Sequence, residues 1–235
     1  MTHKRTVLVT GANRGLGLEF CTQYAQAGWH VIATCRKPAD AGKLGRLDVD
    51  VRALDTADAK QAETLSKQLA DQPIDLLLNN AGIMGDRDRS ALDADLDEWS
   101  SAFRINVLGP AIVTRAFLPN LKRAEFPVGL TLGSMSGILT FMSGPQLAIY
   151  RSTKAAAHAA TISLGAALEK EGVLYFSLRP GRTATDMTQN EGDYCPEETV
   201  SLVRQTLEKA SHEWAGKFID RTGRELSYAD GYEPI

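Results

Sequence analysis

Tyr150 and Lys154 stand four residues apart in the stretch Tyr150-Arg151-Ser152-Thr153-Lys154. On a helix that spacing puts both side chains on one face. A phenol in water loses its proton near pH ~10, and an adjacent ammonium favours the charged form. A tyrosine tuned in this way trades a proton with a substrate oxygen near neutral pH. Tyr-x-x-x-Lys is common by chance, so its weight depends on its companions. Upstream, the apolar run from Val128 meets Gly133-Ser134-Met135-Ser136-Gly137. A hydroxyl at the carboxyl end of such a strand faces the crevice where α/β sheets bind ligands. There Ser134, with Ser136 as its rival, could donate to a carbonyl oxygen and stabilise a developing alkoxide. Asn106, in Arg104-Ile105-Asn106-Val107, falls within a long helical pattern where Asn has modest propensity. It is a candidate to support a water link from Lys154 to solvent.

A second chemistry is legible nearer the start. Thr10-Gly11-Ala12-Asn13-Arg14-Gly15-Leu16-Gly17 follows the apolar run Thr6-Val7-Leu8-Val9 and leads into helix-compatible sequence. Helix N-termini leave backbone N–H groups unpaired, and the helix dipole favours negative charge there. Glycines let the backbone approach a pyrophosphate. The spacing is G-x-x-x-G-x-G, neither G-x-G-x-x-G nor the P-loop.

The second strand ends in Cys35-Arg36-Lys37 with no acid at its tip, and Arg14 adds a cation inside the glycine turn. An acid there would hold a ribose 2′-hydroxyl, whereas guanidinium suits a 2′-phosphate. The expected cofactor is therefore NADP(H) in preference to NAD(H). Asp55 either bonds the adenine amino group or caps a helix beginning near Ala57. In Asn79-Asn80-Ala81-Gly82, small residues let the backbone approach a ligand, and the amides can tie neighbouring strands together.

These groups need a frame to hold them. The runs Thr6–Thr10, His30–Cys35, 49–54, 74–79, 128–134, 174–178 and 216–219 read as strands. Several are apolar throughout, as expected of parallel strands covered on both faces. Helical patterns at 16–27, 59–70, 99–122, 146–170 and 197–211 supply the crossovers. The fold class is α/β: one Rossmann-type, doubly wound parallel sheet of about seven strands with helices on both faces, forming a single domain over 1–235.

Composition limits the alternatives. The chain has 235 residues, 43% hydrophobic and 23% charged, with a formal net charge of −3. That balance gives no basic footprint for nucleic acid. No run reaches the ~18 apolar residues that span a membrane. Met1-Thr2-His3-Lys4-Arg5 reads as the lead-in to the first strand instead of a signal peptide. Cys21, Cys35 and Cys195 suit reduced thiols in a cytoplasmic protein, and His3, His30, His158 and His212 lack metal-ligand spacing. His158 is expected to be a packing or interface residue.

In their order along the chain, these motifs resemble the short-chain dehydrogenase/reductase family over nearly its whole length. They are Thr10-Gly11-x-x-x-Gly15-x-Gly17, Asp55, Asn79-Asn80-Ala81-Gly82, Asn106, Ser134, Tyr150-x-x-x-Lys154, then Pro180-Gly181 with Thr185. The resemblance implies hydride transfer between NAD(P)(H) and a small carbonyl or alcohol substrate. It makes Tyr150 the acid/base, Lys154 the group that lowers its pKa and holds the nicotinamide ribose, Ser134 the orienter of the substrate oxygen, and Asn106 part of a proton relay. Ser134 is preferred to Ser136 because Ser134-Met135-Ser136-Gly137 fits the family's Ser-x-x-Gly pattern. The implied cofactor set is Gly11, Asn13, Arg14, Gly15, Leu16, Gly17, Arg36, Asp55, Asn80, Ala81 and Gly82, with Tyr150, Lys154, Pro180, Gly181, Thr183 and Thr185. No metal is called for.

Tyr-Arg-x-x-Lys and the ending Gly216-Lys217-Phe218-Ile219-Asp220 are similar to the C-factor and carbonyl-reductase-like branch. That branch leaves a second reading open, a cofactor-binding signalling or regulatory protein. The gap from Ser134 to Tyr150 is longer than usual, and residues 138–144 are expected to form an apolar substrate wall. Residues 182–195 read as a mobile lid, with Tyr194 engaged in loop packing. The alanine-rich helix carrying Tyr150 permits close helix packing, and the resemblance implies that it and the 99–122 helix build a homodimer interface.

Overall fold

The computed structural model describes residues 4–229. The reading of Met1 to His3 therefore lies outside the described residues. Seven apolar runs become parallel strands: β1 (Thr6–Thr10), β2 (His30–Cys35), β3 (Asp50–Ala53), β4 (Leu76–Asn79), β5 (Val128–Leu132), β6 (Leu174–Arg179) and β7 (Phe218–Asp220). An eighth, β8 (Glu225–Leu226), runs antiparallel to β7. The sheet order is β3-β2-β1-β4-β5-β6-β7-β8. Strand order reverses between β1 and β4, which opens a crevice at their carboxyl ends. The additional strand has only two residues, too few to show a period. It is returned to the sheet by a turn in which Asp220 Oδ1 accepts from Thr222 N and Arg224 N.

Every residue of β1 is buried, because helices cover both faces. Val7 and Val9 face one layer, with Phe20 of α1 (Gly15–Gln26) and Val203 of α6 (Pro196–Leu207). Leu8 faces the other, with Leu65 of α2 (Ala59–Gln68), Phe117 of α4 (Gly109–Leu121) and Leu168 of α5 (Ala148–Glu169). Burying a large apolar side chain contributes ~1.5–3 kcal/mol. Two-sided burial repeated over the central strands fixes the register that places the strand ends.

The expected helix over 99–122 is three joined pieces. These are α3 (Leu96–Phe103), a π-helical turn at Arg104–Leu108, and α4. α2 begins at Ala59, where the 59–70 pattern predicts it, so Asp55 is not its cap. Asp58 caps α2 by accepting from Gln61 N, while Asp55 closes the preceding turn by accepting from Ala57 N at 3.0 Å. Among the described residues, no helix is long and apolar enough to cross a membrane.

Candidate active site

The carboxyl end of β1 turns at Gly11, whose φ is +64° and where a Cβ would lie 2.9 Å from the Ala81 Cα. Gly17 has no more space, since a Cβ there would overlap the Gly11 carbonyl oxygen. Beneath this turn β1 and β4 are laced together. The Thr10 hydroxyl accepts from the amides of Asn80 and Ala81, each at 3.0 Å, and donates to Leu78 O at 3.3 Å. Asn80 Nδ2 donates to Thr10 O at 2.8 Å and to Gly11 O at 3.1 Å. The expected tying of strands by the N-N-A-G amides is thus observed, and Asn79 extends it by donating to Thr114 Oγ1 and the Tyr175 hydroxyl.

α1 begins directly after the turn. Its N-cap, Arg14, makes no side-chain cap, and its first turn holds no acid. In contrast, α2 is capped by Asp58, α3 by Asp95, and α6 by Cys195 with Glu197 and Glu198 in the first turn. A guanidinium at the positive end of a helix is unfavourable unless an anion joins it. The uncapped amides, the missing Cβ atoms and this arginine together fit a pyrophosphate.

A cleft of about 1360 Å³, open mouth included, extends from this cradle. Gly11, Asn13, Arg14, Gly15 and Leu16 line its floor, and Asn80, Ala81 and Gly82 stand beside them. Arg36 and Asp55 border the end formed by β2 and β3, where Cys35, Leu54, Thr56 and Ile105 complete the wall. Neither Arg14 nor Arg36 forms an ion pair with another described residue.

Tyr150 and Lys154 enter the same cleft from α5. Lys154 is 8% exposed, and its Nζ donates to Leu132 O at 2.7 Å. That ammonium lies 5.6 Å from the centroid of the Tyr150 ring. The expected shared helix face is therefore realised, with the lysine anchored to the end of β5. Ser134 lies two residues past that strand end. Its Oγ accepts from Ser136 N at 3.1 Å, so Ser136 supports Ser134 through its amide. The Ser134 amide in turn donates to His158 Nε2 at 3.3 Å.

Asn106 sits one layer behind the wall. The π turn carries it inward, where its amide donates to Ile83 O and Thr153 Oγ1 and its Oδ1 accepts from Ile83 N. It clamps the segment after Gly82 onto α5. Such π turns recur at functional sites.

Pro180, Gly181, Thr183 and Thr185 also line the cleft. The segment they begin is bonded to itself. Ala184 N donates to Tyr194 O, Asp193 N to Arg182 O, and Thr188 Oγ1 to Thr183 O. Tyr194 packs under the Arg221 guanidinium, 3.2 Å from the ring centroid, as loop packing required. Thr185 lies 3.6 Å from the Cβ position of Gly15, so the segment meets the glycine turn directly.

Of the residues assigned from the sequence to catalysis or cofactor binding, Gly17, Asn106 and Ser134 do not line the cleft; the rest of that set does. The apolar wall expected from 138–144 is a correction. Leu139 and Phe141 are exposed, and the apolar lining comes from Ile83, Met84, Ile105, Leu132 and Met187. Ile83 and Met84 directly follow N-N-A-G, and Leu132 precedes Ser134, so adjacency to the motifs was the available signal. Met187, with Asp186 and Thr188, enters through the folded loop and had none.

A sequence model described as short chain dehydrogenase matches residues 5–195. A short chain dehydrogenase of Pseudocercospora fijiensis is 34% identical over 194 residues, 78% of this chain and 61% of that protein, so the chain spans less than two thirds of that relative. A galactitol 2-dehydrogenase (L-tagatose-forming) of Cereibacter sphaeroides is 35% identical over 186 residues, 77% of this chain and 72% of that protein. Among solved structures, NADPH-bound carbonyl reductase from chicken fatty liver matches with a TM-score of 0.87 at 27% identity, covering 96% of this chain and 99% of that one.

Proposed function

This chain belongs to the short-chain dehydrogenase family, and on that premise we propose that it is an NADP(H)-dependent carbonyl reductase acting on a small carbonyl or alcohol. The observation that carries the reading is the Lys154 ammonium 5.6 Å from the Tyr150 ring in the cleft that the glycine turn floors. NADP(H), when bound, supplies or accepts the hydride. The NADPH in the chicken carbonyl reductase structure supports the phosphorylated cofactor, and so do Arg14 and Arg36.

The protein's own share is proton handling and positioning. Tyr150 holds the proton that a substrate oxygen gains on reduction or loses on oxidation. Lys154, fixed on Leu132 O, keeps a cation beside that phenol, and with cofactor bound it would be the residue that holds the nicotinamide ribose. Ser134 stands just behind the lining, next to Gly133, which borders the cleft; with Ser136 N bonded to its oxygen, its hydroxyl proton is left for a substrate oxygen that reaches this edge. Asn106 holds the cleft wall at Ile83 in place. Ile83, Met84, Leu132 and Met187 exclude water and suit an apolar substrate body. A homodimer belongs to this proposal, with exposed Phe103, Leu108 and Ile162 on the helical face available to a second copy. Light scattering showing only monomer at micromolar concentration overturns that part.

The test is loss of NADPH absorbance with a panel of aldehydes, ketones and quinones. Turnover with NADPH preferred over NADH is the expected result. Tight NADPH binding without turnover on any of them would point to the regulatory reading.

A further inference from the structure

Beside Ser134 lies an imidazole that the chemistry above does not use. His158 follows Lys154 by one helical turn on α5 and is 4% exposed. Its Nε2 accepts the Ser134 backbone N–H at 3.3 Å. Phe218 of β7 and Tyr228 hold the ring, with centroids 4.5 and 5.1 Å away. Gly133 makes room for it, since a Cβ there would lie 3.0 Å from Nε2.

Accepting at Nε2 puts the ring proton on Nδ1, and Nδ1 has no hydrogen-bond partner among the described residues. A buried unpaired donor is unfavourable. Leucine in the same packing would avoid that cost. What imidazole supplies and leucine lacks is the acceptor for Ser134.

We propose that His158 is a positioning residue: its neutral Nε2 holds the backbone of Ser134 and so aims the Ser134 hydroxyl at the substrate oxygen. The proposal rests on the role given to Ser134 above. The groups around the ring keep it an acceptor. Lys154 is the charged group near it on α5, and Ser134, Ser177 of β6, Phe218 and Tyr228 face it from the other elements. Burial first, and then the Lys154 ammonium, push the imidazole down to about 3. It stays unprotonated at every pH where the enzyme would be assayed.

The experiment compares His158→Leu and His158→Gln in the wild-type and Ser134→Ala backgrounds. Displacing a positioned group costs up to ~100-fold in rate. His158→Leu is expected to lower kcat by roughly 10-fold or more, with NADPH Kd unchanged. His158→Gln, whose Oε1 accepts in place of Nε2, restores most of that loss. In the Ser134→Ala background His158→Leu adds nothing further. Unchanged kcat in His158→Leu, or an equal further loss without Ser134, overturns the proposal.

A readout independent of turnover is amide hydrogen exchange at Ser134. Exchange is slow in the wild type and in His158→Gln, and fast in His158→Leu. Should the leucine variant not fold, His158→Asn replaces it, because the shorter side chain withdraws the acceptor from the Nε2 position. If the wild type turns over no carbonyl, the proposed activity fails while Ser134 exchange still decides the role of His158. Equal exchange in all variants overturns it.

Discussion

On one side of the cleft the working groups are backbone amides; on the other they are side chains. The glycine turn offers uncapped N–H groups and needs space, so Gly11 and Gly17 matter for the atoms they lack. The α5 side offers a phenol, an ammonium and a hydroxyl, brought together from a helix and a strand end. The first side leaves no room for a Cβ at Gly11 or Gly17. The second should be insensitive to change in its loops and sensitive to change at Tyr150, Lys154 and Ser134. Binding and chemistry should therefore fail separately.

The largest separation is expected at Tyr150. Tyr150→Phe removes only a hydroxyl and should lower kcat by ~10²- to 10⁴-fold. NADPH Kd should change far less than kcat, and Tm should stay as in the wild type. Stopped-flow turnover beside a fluorescence titration checks this, and surviving turnover breaks the comparison. Arg36→Ala should do the reverse. Losing a charge-assisted hydrogen bond costs ~1.5–3 kcal/mol, so NADPH affinity should fall by roughly 10- to 100-fold while NADH affinity barely moves. Equal losses for both cofactors would remove the 2′-phosphate assignment.

Gly17→Ala should destabilise by about 1–3 kcal/mol through overpacking. NADPH binding should be lost with it, read by thermal melting and titration on the same sample. A variant that binds normally would mean the turn has slack. The smallest effect is expected from Leu139→Ser and Phe141→Ser. Surface substitutions of this kind usually stay within ~0.5 kcal/mol, and kcat/KM for small carbonyls should not change. A clear loss would return the 138–144 segment to the substrate wall.

Much of the binding side was legible because its groups are close in sequence. A strand, a glycine turn and a helix start occupy residues 6 to 26, and their meaning is local. The Tyr150–Lys154 pair was legible for the same reason, since helical spacing alone puts the two groups together. Features that depend on distant partners were not. Asp55 and Asp58 are equivalent helix caps until the start of α2 is known. The inward turn at Asn106 follows from bonds to Ile83 and Thr153, 23 and 47 residues away. The apolar segment 138–144 lies close to α5 in sequence, yet Leu139 and Phe141 face solvent. Met187 reaches the cleft only because the loop bearing it folds on itself through Thr183, Thr188 and Tyr194.

The Thr10 hydroxyl binds amides 70 and 71 positions further along the chain. No nascent polypeptide shorter than that separation owns a finished nucleotide cradle, however well its first helix has formed. Closing so long a loop is entropically slow to be repaid. Affinity for the dinucleotide should thus emerge only once the centre of the sheet has zipped. A ligand that recognises that completed state alone would shift the unfolding equilibrium as a whole.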